Sequence, residues 1–112
     1  MSRDYKVYLE DICESITKIR KYTSGISFQA FKNDSRTFDA TVRNLEIIGE
    51  AARKVPGDFR VKYPEIEWKK MAGLRDVLIH EYFSVDAEII WDIINNKLPR
   101  LEKQLQAILS KK

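Results

Sequence analysis

Residues 68–83 read WKKMAGLRDVLIHEYF. Met71, Leu74, Val77, Leu78 and Ile79 are apolar and fall at helical spacings, so the stretch has to pack. It also carries His80, the only histidine of the chain, with Arg75 before it across four intervening residues and Tyr82 two residues after it. A guanidinium, an imidazole and a phenol therefore ride on one structural helix. That points to a site built on a rigid element.

Stepping the helix by 100° per residue places Arg75 and Tyr82 on one face. Asp76 and His80 share another, with Lys69 and Gly73 beside them. Arg75 and His80 stand about 140° apart around the axis. One phosphate meets both only through arginine's reach, a break in the helix, or a second copy of the motif across a two-fold axis. Gly73 could let two such helices come close. Arginine offers a permanent charge and a planar fork for phosphate. Histidine titrates near neutral pH and can move the proton of a nucleophile or leaving group. Asp76, one turn before His80, could hold the imidazole in one tautomer. Cleavage of RNA without a metal needs a base for the 2′-hydroxyl and a cation beside the phosphate. Tyr82 adds a hydroxyl that can contact phosphate or accept a modification. The plain alternative makes His80 a polar residue at a helix end, Arg75 a surface partner of Asp76 or Glu81, Tyr82 a packing residue and Lys69–Lys70 a solvated pair. Spacing alone favours that alternative.

Outward from this stretch, the chain keeps the same period. Tyr5, Tyr8, Leu9, Ile12, Ile16 and Ile19 predict a helix over 3–22, ended by Gly25 in a left-handed conformation. Residues 27–32 allow one short helical turn capped by Ser27. Asn33, Asp34 and Ser35 can cap the next helix, over 35–54, with Phe38, Val42, Leu45, Ile48 and Ala52 as its buried stripe. Gly49 inside it costs about 1 kcal/mol against alanine and so suggests close approach by another backbone. Glu46 and Glu50, one turn apart, read as a solvated face or partner ion pairs rather than as a metal site. Pro56 and Gly57 stop the helix, and 58–65 reads as a packed connector. A third long helix is expected over about 66–82. A fourth is expected over about 86–110, capped by Ser84 or Asp86 and kinked at Pro99. Its stripe is Ile90, Ile94, Leu98, Leu101, Leu105 and Ile108. Ile89, Trp91 and Ile93 add a second apolar face at its start, which hints at a subunit contact. No strand alternation, repeat or linker appears. The fold class is all-α, a small antiparallel helix bundle.

At 112 residues the chain has the length of a single domain, 1–112, that gains from oligomerising. Its net charge of +3, from 20 basic and 17 acidic residues, is too small to mark a nucleic-acid binder by itself. Residues 1–33 and 56–75 each carry about +2, so the basic excess reaches the edge of the Arg75–His80 stretch. The single cysteine, Cys13, excludes an internal disulfide framework and a cysteine-rich metal site. The charged start and the lack of any apolar run of about 20 residues predict a soluble, cytoplasmic protein with no signal peptide.

Residues 75–82, RDVLIHEY, resemble the Arg–four residues–His–x–Tyr motif of the HepT-like toxins of the HEPN superfamily. NLEIIGEAARKV (44–55) is similar to that family's second-helix signature. YPEIEWKKMAGLRD (63–76) resembles the run leading into the motif, with Glu where a second proline is usual. FSVDAEIIWDIINNKLPRLEKQL (83–105) resembles its last helix, proline included. The resemblance covers nearly the whole chain. It implies a HEPN-like bundle forming a two-fold homodimer, and a metal-independent endoribonuclease, without cofactor, whose site forms at the dimer interface. It implies further a toxin–antitoxin pair, in which a small nucleotidyltransferase antitoxin neutralises the toxin by attaching AMP to the motif tyrosine. Carried over, Arg75 binds the phosphate, His80 transfers the proton and Tyr82 is the AMPylation site. Asp76 stands in the supporting polar position where this branch often has Asn. HEPN proteins also include non-catalytic members, so a module that only engages a nucleotidyltransferase or a nucleotide is the alternative.

Overall fold

A buried apolar stripe on each long segment sets the architecture. Leu9, Ile12, Ile16 and Ile19 line one side of helix α1 (Tyr5–Thr23). Val42, Leu45, Ile48 and Ala52 line helix α3 (Ser35–Lys54), which lies between α1 and helix α5 (Trp68–His80). The computed structural model describes residues 5–81 and 85–111, and every regular element among them is helical. The rest are α2 (Phe28–Asn33), α4 (Gly57–Lys62), α6 (Ala87–Asp92) and α7 (Leu98–Leu109), with a π-helical turn, Ile93–Lys97, between the last two. Helix α7 packs on α1, where Arg20 pairs with Glu102. No helix among the described residues is long and apolar enough to cross a membrane.

The ends of these helices follow local chemistry. Gly25 takes φ +76° after α1, a region that side chains with a Cβ seldom enter. Ser27 caps α2 by accepting from the Ala30 N–H at 3.1 Å. Asp34 caps α3, accepting the Thr37 N–H at 3.2 Å and the Thr37 hydroxyl at 2.7 Å. Those bonds, the hydroxyl's first, hold its carboxyl below the usual aspartate range. Asp86 caps α6 through the Glu88 N–H at 2.8 Å. Ser84, the other expected cap, lies outside the described residues.

Three expectations need correction. The connector over 58–65 holds a helical turn, α4, because Phe59 is buried there and anchors it: its ring stacks on Tyr5 at 4.1 Å and meets Tyr63 at 4.9 Å and Trp68 edge-on at 6.3 Å. The indole N–H of Trp68 donates to the Tyr63 carbonyl at 3.0 Å, fixing the start of α5 two residues later than expected. The single helix over 86–110 is divided. Pro99 has no N–H for the carbonyl four residues back, and its ring would strike it. The backbone widens ahead of it into the π turn, where the Leu98 N–H reaches the Ile93 carbonyl. The expected stripe from Ile90 to Ile108 is nonetheless buried throughout. Finally, Trp91 is covered within the chain, by Phe28 and Phe31 of α2 at ring distances of 5.9 and 5.1 Å. Only Ile89 of that second apolar face stands well out, at 59% exposure.

Candidate active site

The site begins with a missing side chain. A Cβ built on Gly49 of α3 would lie 2.6 Å from the Met71 carbonyl oxygen and directly against the Arg75 Cβ of α5. The close approach that Gly49 suggested is therefore made by α5, at the turn that carries Arg75. Trp68 at one end and Leu78 near the other are buried and keep α5 in this register.

That contact brings Arg75 against the next residue of α3. Arg75 forms an ion pair with Glu50, Nε to Oε1 at 3.2 Å, and Arg75 Nη1 donates to Asp76 Oδ1 at 3.0 Å. The Arg75 side chain is 26% exposed, against 54% for Asp76. Glu50 is itself held by Arg53 at 3.3 Å and Lys54 at 3.8 Å, one turn further along α3. Its neighbour Glu46 pairs with Arg43 at 3.6 Å. The two glutamates thus act as ion-pair partners, one of the two roles read for them from sequence. Arg75 opens into a cleft of about 230 Å3 that also includes Asp11 of α1, Arg43 and Glu50 of α3, and Ile79. Both cations and carboxylates line it.

His80 is elsewhere. It is the last residue of α5, exposed, and not part of the cleft wall. Lys69, Gly73, Asp76 and Val77 are exposed with it, as the helical spacing requires. Helix α5 runs unbroken from Trp68 to His80, which removes a helix break as the way to unite Arg75 with His80. Asp76, offered from sequence as a partner for the imidazole, has its Oδ1 on Arg75 instead. Tyr82 lies outside the described residues. Cys13 is half-buried, and burial, followed by Glu102 and Glu10, pushes its thiol up, in keeping with an inert thiol.

The residue that sequence reading did not connect to the site is Glu50. Its partner lies 25 positions away on another helix, and no periodicity reports such a pair. The signal was indirect: a costly glycine beside an acid, within the stretch that resembles a family signature.

A family model described as HepT-like, "Ribonuclease HepT-like", matches residues 12–108. The chain is 45% identical over 107 residues to "Putative RNase MJ0127" of Methanocaldococcus jannaschii, covering 96% of this chain and 88% of that protein. It is 44% identical over 108 residues to "Probable ribonuclease HepT" of Thermococcus cleftensis, covering 96% and 98%. It is 47% identical over 104 residues to "Putative RNase TTE0752" of Caldanaerobacter subterraneus subsp. tengcongensis, covering 93% of each. No solved structure matches the chain. With the helical fold, the arginine–histidine helix and relatives matched over nearly their full length, the chain belongs to the HepT-like ribonuclease family.

Proposed function

We propose that this protein is a metal-independent endoribonuclease, the toxin of a toxin–antitoxin pair, acting as a homodimer in the cytoplasm. The observation that carries the reading is the division of labour on α5. Arg75 is set in a cleft by Glu50, while His80 stands on an exposed face of the same unbroken helix. A site using both groups is completed by a second copy.

In the proposed reaction the 2′-hydroxyl of one nucleotide attacks the adjacent phosphorus and the bond to the 5′-oxygen of the next breaks. The products are a 2′,3′-cyclic phosphate and a free 5′-hydroxyl. His80 takes the proton of the attacking hydroxyl or supplies one to the leaving oxygen. Arg75 stabilises the charge that develops on the phosphate oxygens. Tyr82, two residues beyond His80, is the proposed acceptor of AMP from a cognate nucleotidyltransferase antitoxin. The added phosphate places negative charge beside the site and repels RNA, as phosphorylation would.

The second reading, a non-catalytic module that binds a nucleotidyltransferase or a nucleotide, draws on one observation. The Asp76 carboxylate already occupies Arg75 Nη1. Cleavage of a mixed RNA pool in EDTA, by wild type and His80→Ala purified without a partner, separates the two. Cleavage by the wild type alone supports the nuclease. Equal cleavage by both removes His80 from the mechanism. Absence of cleavage by both, with Tyr82 shown unmodified by mass spectrometry, supports the binding module. Co-expression with the antitoxin should add the mass of AMP to the peptide holding Tyr82.

A further inference from the structure

We infer that Glu50 is the positioning residue of the Arg75 site, holding the guanidinium by its Nε so that its outer nitrogens are presented to a phosphate. The inference rests on the nuclease reading above and assigns a role to a residue outside the arginine–histidine motif.

Among the described residues two carboxylates touch Arg75, and they are not equivalent. Asp76 is the next residue in the chain, 54% exposed, and meets an outer nitrogen, Nη1. That is a contact a phosphate oxygen can replace. Glu50 comes from a different helix and meets Nε, the nitrogen nearest the backbone. An ion pair on the Nε side draws the planar group toward α3 while leaving Nη1 and Nη2 as its outer edge. Glu50 is also fixed before Arg75 is considered. Arg53 and Lys54 hold its carboxylate from the following turn, and Gly49 beside it locks α5 at the distance at which Nε reaches Oε1. Glu50 and Arg75 are 34% and 26% exposed, so the pair is partly shielded from water, unlike the solvated Asp76 contact. An arginine left without this anchor would sample several rotamers, and misplacement by about 1 Å lowers a rate by about a hundredfold.

The test uses the full chain, expressed without a partner, as wild type, Glu50→Ala and Glu50→Gln. Glutamine keeps a side chain of the same length with an oxygen facing Nε. Two readouts are taken, RNA cleavage and the Nε–H resonance of Arg75, assigned by its loss in Arg75→Lys. The expected result is a kcat lowered about 10- to 100-fold in Glu50→Ala with KM changed by less than about threefold, and recovery to within about fivefold of wild type in Glu50→Gln. The Nε–H should be slow to exchange in wild type and Glu50→Gln and fast in Glu50→Ala. Cleavage by wild type and Glu50→Ala at equal kcat overturns the inference and leaves the nuclease reading standing. So does a loss of kcat that merely follows the unfolded fraction, unrescued by glutamine. Should the wild type not cleave RNA, the nuclease reading fails, and the catalytic role of Glu50 with it. An Nε–H signal equally fast in all three proteins removes even the positional contact.

Discussion

On the inner side of α5, Leu78 is 1% exposed and the Met71 carbonyl lies where a Cβ of Gly49 would have to go. On the outer side, Val77 is 48% exposed and Gly73 has nothing within 4 Å of where its Cβ would stand. The same thirteen-residue helix is thus locked along one edge and open along the other. Its two chemical groups are divided accordingly. Arg75, at the border of the inner side, is held by another helix, whereas His80 belongs to the open side with Lys69 and Asp76. In the proposed mechanism the charge that must be fixed in direction is the one built into the protomer, and the group that must meet a substrate proton is the one left exposed.

The largest effect that should separate the two sides comes from neighbouring positions. Leu78→Ala removes a fully buried side chain and should destabilise the fold by about 2–5 kcal/mol. Val77→Ala, one residue earlier on the open side, should stay within about 0.5 kcal/mol at protein concentrations below dimer dissociation. Urea unfolding of both variants checks this. Equal losses under those conditions would mean that the open side is as buried within the protomer as the closed one.

Next in size is Gly49→Ala. Alanine gains about 1 kcal/mol of helix propensity, but the added carbon meets backbone of α5, which cannot rotate away. Overpacking of this kind costs about 1–3 kcal/mol, so the net change should be a destabilisation. The accompanying shift of α5 should also lower RNA cleavage, because Arg75 would move off Glu50. A stable variant with unchanged cleavage would show that α3 and α5 are not in tight register.

How far these two sides could be read in advance depended on what kind of pattern carried them. The buried stripe from Ile90 to Ile108 repeats at helical period, so it was legible even though the helix is divided beneath it. Pro99 announced a distortion, but whether a backbone answers proline with a kink or a π turn is decided by packing. Helix α4 was hidden because Pro56 and Gly57 read as a stop, and its one buried residue, Phe59, makes no stripe. Arg75, Asp76 and His80 could be singled out because they lie within one turn or two. The Glu50–Arg75 pair could not, since it depends on which helix Gly49 admits.

A smaller effect sits at the border of the two sides. Asp76→Asn removes a negative charge from Arg75 Nη1 and keeps a polar side chain. RNA should bind more tightly, with KM for cleavage lowered severalfold, about 1 kcal/mol, and the difference should shrink as salt is raised. An unchanged KM would mean that the Asp76 contact does not compete with phosphate, and so that the outer nitrogens are not where RNA binds.

The smallest expected change is the most informative about the open side. Glycine within a helix is less favourable than alanine by about 0.5–1 kcal/mol, and a Cβ at position 73 meets nothing in the protomer. Gly73→Ala should therefore raise stability by about that amount at low protein concentration. If the outer side packs helix against helix in a dimer, the added carbon would enter the contact, and the gain should shrink or reverse as concentration increases. Denaturation of wild type and variant at concentrations on either side of dimer dissociation gives both numbers. A gain independent of concentration would leave Gly73 and the residues around it, His80 among them, on a surface that no second copy covers. The proposed two-subunit assembly of the site would then have to be abandoned.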